Sequence, residues 1–111
     1  MKLGLIRCLQ TESMCPATGC FKAMRDPSGA FAGIEEELVL VGVSTCGGCP
    51  GKNAVPRAAQ MVKNGAEAIV LASCISKGSP VGMPCPHFAE MKQAIQKRIG
   101  AEGPMFDYTH N

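Results

Sequence analysis

The sequence predicts an α/β fold: a single-domain three-layer sandwich around a four-stranded parallel sheet, flavodoxin-like or Rossmann-like, with strand order 2-1-3-4. Three observations predict it. The apolar runs are continuous rather than alternating, as in strands covered on both faces. Stretches with helical spacing separate those runs. The order that results, β-α-β-α-β-α-β, closes into a parallel sheet when its crossovers are right-handed.

Each element has its own signal. Leu3 to Cys8 is the first short apolar run. A helix begins near Pro16, with Ala17, Cys20, Phe21 and Met24 on one face, and Pro27 ends it. Residues 28–37 carry no clear pattern. Leu38 to Val43 is a continuous, β-branched second strand. In the second helix Val55, Ala58, Ala59 and Val62 fall at i, i+3, i+4 and i+7. Pro56 suits its first turn and Gly65 its C-terminal cap. Ala68 to Ala72 is the third strand. Phe88, Met91, Ile95 and Ile99 stripe a last helix that opens at Pro86 and stops at Gly100. Pro104 to Tyr108 is a weaker fourth strand. Residues 1–111 read as one domain, with no repeat, linker or low-complexity tract.

Composition narrows the function classes. With 46% hydrophobic and 18% charged residues, intrinsic disorder is excluded. A net charge of +2, from 11 basic and 9 acidic residues, is too weak for a nucleic-acid footprint. No apolar run approaches the roughly 18 residues a membrane-spanning helix needs. With no Trp, one Tyr and four Phe, a base- or flavin-stacking surface is poorly supplied. The apolar stretch at the N-terminus is too short for a signal peptide, so the expected location is the cytoplasm, where thiols stay reduced. The expected partner is a metal ion, with neither nucleic acid nor membrane involved and no particular protein partner indicated.

Cysteine is the unusual residue: 7 in 111. An odd number cannot form a complete disulfide framework, and cysteine-rich cytosolic chains usually carry metal or thiol chemistry. On the predicted fold, Cys8 ends strand one, Cys46 and Cys49 follow strand two, and Cys74 lies just past strand three. Cys85 precedes the last helix and His110 follows strand four. All C-terminal ends of a parallel sheet share one edge, the edge where open α/β proteins bind ligands. Six soft or metal-competent groups are therefore expected to converge there, whereas cysteines serving only as small core residues would scatter among strand middles and helix stripes. Helix N-termini on that edge favour anions and thiolates, and Arg7 and Lys52 add positive charge.

The segment Cys46-Gly47-Gly48-Cys49 brings two sulfurs into one short loop, where they meet one metal ion or each other. The glycines allow positive φ, so that backbone N–H groups turn toward sulfur. Pro50 lacks the N–H that a standard zinc knuckle uses after its second cysteine. Cys85-Pro86-His87 sets a thiol and an imidazole at a helix entrance. Cys15 belongs in the loop before the first helix, Cys20 on that helix's buried stripe. His110 stands in a tail, where chains usually fray. Other signatures are missing. No Cys-x5-Arg phosphatase loop exists: the residues six beyond Cys8, Cys15 and Cys46 are Met14, Phe21 and Lys52. No Gly-rich dinucleotide or Walker loop follows a strand.

The run Leu38-Val39-Leu40-Val41-Gly42-Val43, followed by Cys46-Gly47-Gly48-Cys49-Pro50-Gly51, resembles the CGGC domain family. The resemblance extends over Cys8, Cys15-Pro16, Gly19-Cys20-Phe21, Gly29-Ala30-Phe31, Ala72-Ser73-Cys74, Cys85-Pro86-His87 and Thr109-His110. It implies a metal-binding domain, zinc being the usual suggestion, with no reaction attached. It also brings Cys15, Cys20 and His87 among the plausible ligands.

Three functions stay open on the sequence. The first is metal binding by Cys46, Cys49, Cys74 and Cys85, as Zn²⁺ with Zn–S near ~2.3 Å or as iron or an iron–sulfur cluster. Cys8, Cys15, His87 and His110 complete a larger or second site in that reading. The second is thiol-disulfide or electron-transfer chemistry, with Cys46 attacking and Cys49 resolving. The third is a non-catalytic metal or redox sensor. The sequence does not decide whether the protein is an enzyme.

Overall fold

The computed structural model describes residues 1–79, 82–100 and 104–110. Four strands form one all-parallel sheet in the order β2-β1-β3-β4. They are β1 (Lys2–Arg7), β2 (Val39–Thr45), β3 (Ala68–Leu71) and β4 (Met105–Phe106). The helices are α1 (Thr18–Arg25), α2 (Ala54–Lys63), α3 (Ser73–Ser76) and α4 (Phe88–Ile99). Fold class and strand order are those the sequence predicts. The predicted tail strand narrows to two residues, and part of its N-terminal approach, 101–103, lies outside the described residues.

The core is the middle of the sheet. Leu3, Leu5 and Ile6 of β1 and all four residues of β3 are buried. These short apolar runs are continuous because both faces are covered. Helices α2 and α4 pack against each other on one face. The chain runs from β1 back to β2, opposite in direction to its other crossovers, so a right-handed path carries α1 to the other face. Two glycines let α2 approach closely. A Cβ on Gly4 would stand 2.7 Å from the Met61 sulfur, and one on Gly42 would stand 3.2 Å from Met61 Cγ. The two are register partners, placed just after an irregularity between Leu3 and Gly4.

The structure departs from the sequence reading in three places. β2 is not covered on both faces: Val39, Val41 and Val43 are exposed. Its run is as apolar as that of β3, but it is an edge strand with β1 as its neighbour, and the eight-residue α1 spans only about 12 Å. The α2 stripe is rotated. Ala54, Ala58 and Met61 are buried, whereas Val62 is exposed, because the helix turns its smallest side chains and a flexible methionine toward the close glycine surface. Finally, Phe21, expected on the buried face of the first helix, is exposed, while Cys20, Ala23 and Met24 are buried.

The tail is fastened at Thr109 and His110. Thr109 is fully buried. The Ser73 hydroxyl accepts hydrogen bonds from the N–H groups of Thr109 and His110, each at 3.0 Å, and donates to the His110 carbonyl at 2.6 Å. Gly29 closes over this joint: its N-terminal-side turn has φ +56°, and an added Cβ would lie 2.3 Å from the Thr109 carbonyl oxygen. The neighbouring Ala30 N–H donates to that same oxygen.

Candidate functional site

The sheet delivers cysteines to its C-terminal edge as each strand ends. Cys8 follows Arg7 at the end of β1, Cys46 follows Thr45 at the end of β2, and Cys74 is the second residue of α3, three past Leu71 at the end of β3. Adjacent strands fix their level, since Arg7 pairs with Thr45 and the Cys46 N–H donates to the Arg7 carbonyl at 2.8 Å. No disulfide links any of the seven. At the rim they fall into two groups.

The inner group is Cys15, Cys20 and Cys74. With Arg7, Gly19, Ser79 and His110 they line a cavity of about 140 Å³. Cys20 and Cys74 are 3% and 8% exposed. Burial pushes the Cys74 thiol above its ordinary value, while the Cys8 N–H at 3.2 Å, the Thr11 hydroxyl and the Arg7 charge pull it back. Burial likewise raises Cys20; its contact with the Thr109 hydroxyl at 3.1 Å and the Arg7 charge oppose this, and the neighbouring Cys74 and Cys15 add to it. Both are therefore neutral thiols at pH 7. Arg7 also holds the Cys15 loop by donating to the Cys15 carbonyl. The His110 ring lies on Gly19, where a Cβ would come within 2.9 Å of Nε2. The tail thus forms one wall of this cavity.

The outer group is Cys8, Cys46, Cys49 and Cys85. Cys46 and Cys49 bracket a loop in which Gly47, Gly48 and Gly51 all take positive φ. Gly47 is needed twice over: φ is +79°, and a Cβ would lie 2.6 Å from that of Asn53. Cys46 is buried and Cys49 is exposed. Cys85 is anchored by its N–H to the Ile75 carbonyl at 2.7 Å. Burial raises its thiol, the His87 N–H opposes this, and the nearby sulfurs of Cys49, Cys8 and Cys46 raise it further. His87 caps α4 and offers Cys85 its backbone N–H rather than its ring.

The structure places Cys8, Cys46 and Cys74 where strands end on one edge of the sheet, with Cys74 and His110 on the inner cavity beside Cys20 and with the Cys8 N–H on the Cys74 sulfur. Among the described residues, no three His, Cys, Asp or Glu side chains are near enough to hold one metal ion without movement. Sequence reasoning missed Ser73, Thr109, Thr11 and Arg57. The first three are buried hydroxyl residues, and a lone hydroxyl residue carries no pattern in the sequence that marks it as buried. Arg57 sits on the α2 face turned toward the loop and donates to the Thr45 carbonyl and hydroxyl at 3.0 and 3.1 Å.

Among the described residues, no helix is long and apolar enough to cross a membrane. No solved structure matches the chain. "Uncharacterized protein MJ0582" of Methanocaldococcus jannaschii is 41% identical over 81 residues, which are 67% of this chain and 62% of that protein. "Uncharacterized protein MJ0766" of the same organism is 39% identical over 61 residues, 54% of this chain and 86% of that protein. The chain thus spans a little under two thirds of the first relative. The family model for the CGGC domain matches residues 2–110, and the chain belongs to that family.

Proposed function

We propose that the chain binds a soft metal ion, zinc or iron, or an iron–sulfur cluster, through cysteine thiolates at the C-terminal edge of its sheet. The observation that carries this reading is the outer group: Cys8, Cys46, Cys49 and Cys85 come from three separate segments, and Cys8 and Cys46 directly follow the paired strand-end residues Arg7 and Thr45. Four thiolates suit tetrahedral zinc or an iron–sulfur cluster equally well. The positive-φ glycines around Cys46 and Cys49 give the loop the freedom to close the remaining distance. A bound cation would replace the protons on these sulfurs, so binding releases protons and strengthens as pH rises. Cys15, Cys74 and His110, with Cys20, are left as donors for a second ion, and His87 as a support for Cys85.

Protein purified without air, then assayed for metals and by absorption, tests the reading. About one equivalent of colourless zinc, or iron with a brown charge-transfer spectrum, is expected. The Cys46→Ser/Cys49→Ser pair should lose it. A folded chain that carries no metal and takes up none when offered zinc or ferrous iron with sulfide would end the proposal.

The unequal exposure of Cys46 and Cys49 favours a second reading, thiol-disulfide exchange. Here the exposed Cys49 is the thiol that attacks, the reverse of the order expected from sequence. Its thiolate displaces one thiol from an external disulfide, and Cys46 then displaces the other. One external disulfide becomes two thiols and the loop becomes a Cys46–Cys49 disulfide. Mass spectrometry after treatment with oxidised glutathione separates the readings. A persistent Cys46–Cys49 bond with no metal uptake by the reduced form supports exchange.

A further inference from the structure

Beside the sulfurs, the same edge carries a second feature that neither function above uses. Arg7, Glu12, Val43, Ser44, Thr45 and Arg57 line an open pocket of about 370 Å³ where β1 and β2 end. Arg7 and Arg57 both line it, and both are half-buried. Among the described residues neither makes an ion pair with a carboxylate. Their hydrogen bonds go to neutral groups: Arg7 donates to the Cys15 carbonyl, and Arg57 donates through one nitrogen to the Thr45 carbonyl and hydroxyl. These bonds fix the arginines without neutralising them. Each guanidinium has five N–H donors in a rigid fork, so most donors on both remain for something else.

A guanidinium held by neutral groups keeps its full charge for an incoming anion. Here Arg7 and Arg57 share one pocket lining with Ser44 and Thr45. The geometry points to a binding site for a small oxyanion, held between Arg7 and Arg57. Prepositioned arginines lose little freedom on binding, and charge-assisted bonds to oxyanions are among the strongest polar contacts. Glu12 is the one opposing charge on the lining; it is exposed and forms no ion pair with either arginine.

The site adjoins the sulfurs through the backbone. Cys8 follows Arg7, and Cys46 follows Thr45. Gly47 donates to the Thr45 hydroxyl at 3.2 Å, the same oxygen that Arg57 holds. An oxyanion in the pocket therefore sits at the root of the Cys46 loop, either as a free inorganic ion or as the charged end of a small sulfur compound whose soft end reaches Cys46. The inference does not depend on metal binding, because the arginines and hydroxyls are outside the proposed ligand set.

Titration with sodium sulfate, with sodium chloride at matched ionic strength as the control, tests it by ¹H–¹⁵N NMR on the reduced chain. Sulfate should move the Ser44–Gly47 amides and the Arg7 and Arg57 Nε–H signals saturably, and chloride should not. Arg7→Gln and Arg57→Gln should each weaken binding about tenfold, the scale of one lost charge-assisted contact. Arg57→Lys keeps the charge and guards against a folding defect in Arg57→Gln; it should retain part of the affinity. Glu12→Gln should tighten binding a few-fold, and Arg98→Gln on α4 should do nothing. Thiosulfate bound more tightly than sulfate, with the advantage lost in Cys46→Ser, identifies the anion as part of a sulfur compound; equal binding identifies a free oxyanion. Equal shifts with chloride, or unchanged sulfate binding in both glutamine variants, would overturn the inference.

Discussion

The inner and outer thiol groups lie on the same sheet edge, yet they are built on opposite principles. The inner group is locked. Cys20 and Cys74 are buried, their sulfurs are hydrogen-bonded, and the tail that walls their cavity is fastened at Ser73. The outer group is hinged. Its loop is made of positive-φ glycines, Cys49 is exposed, and Cys85 depends on a neighbouring backbone N–H. Identical side chains are thus fixed by hydrogen bonds and a fastened tail in one place and carried on a glycine-rich loop in the other. Backbone setting, not residue type, makes the difference, since Cys46 is as buried as Cys74.

The largest test of the lock is Ser73→Ala. Its hydroxyl serves three backbone groups of Thr109 and His110. Deleting it leaves buried donors unsatisfied, at a cost of about 3 kcal/mol. Urea unfolding of the metal-free reduced chain measures this. A loss below about 1 kcal/mol would mean that the tail is held by packing alone and that the inner group is less rigid than described. A variant at Thr45, which anchors the hinge side, should cost less, since its partners stay partly accessible to water.

Thiol reactivity sharpens the same contrast. In the metal-free chain, iodoacetamide should label Cys49 first. Cys20 and Cys74 should react at least about a hundredfold more slowly, because labelling them requires local opening. Peptide mass spectrometry over time gives each rate. Comparable rates at Cys49 and Cys74 would remove the distinction between the groups.

Much of this arrangement was legible in the sequence, and the reasons are physical. Continuous apolar runs and one-sided helix stripes gave the parallel order, and that topology brings Cys8, Cys46 and Cys74 to one edge whatever the side-chain details. Two groups rather than one was not legible. Whether Cys74 faces outward with Cys85 or inward with Cys20 depends on the turn of α3, a four-residue helix with no periodicity to read. The exposure of β2 was hidden for a related reason: an edge valine and a central valine look alike until strand order is combined with the length of the covering helix. The fastened tail was hidden because a single serine after an apolar strand carries no pattern.

Alkaline pH probes the inner group from another side. Burial raises the Cys20 and Cys74 thiols above the ordinary value of 9.0. Below that value both states keep the proton, and the stabilising contribution is fully present. As pH rises from there through the raised folded values, the unfolded chain has already lost protons that the folded chain still holds, so stability falls. Each such thiol steepens the decline by up to about 1.4 kcal/mol per pH unit. Urea midpoints of the metal-free chain between pH 8 and 10.5 should drop, and Cys20→Ala should flatten the slope even though it also lowers stability overall. An unchanged slope in Cys20→Ala and Cys74→Ala would show that neither sulfur is sealed from water.

The smallest effect compares the two glycines that serve the two groups. Gly29→Ala forces a Cβ to within 2.3 Å of a backbone carbonyl oxygen at φ +56°. Gly47→Ala brings its Cβ to 2.6 Å from the Asn53 side chain at φ +79°. Strain from the left-handed backbone alone is about 1 kcal/mol for each. The lock has little means of relief, because the obstructing atom is backbone and is tied to Ala30 and to the Ser73 joint. The hinge can relax, since Asn53 is exposed and lies on a short link to α2. Gly29→Ala should therefore lower the unfolding free energy by more than Gly47→Ala does. On the proposed metal-binding reading, metal affinity should respond in the opposite order, falling mainly in Gly47→Ala, because closure around an ion would draw on the loop and not on the tail. Equal losses in both quantities for both variants would mean that the two groups move as one body, and the contrast between a locked and a hinged set of sulfurs would fail.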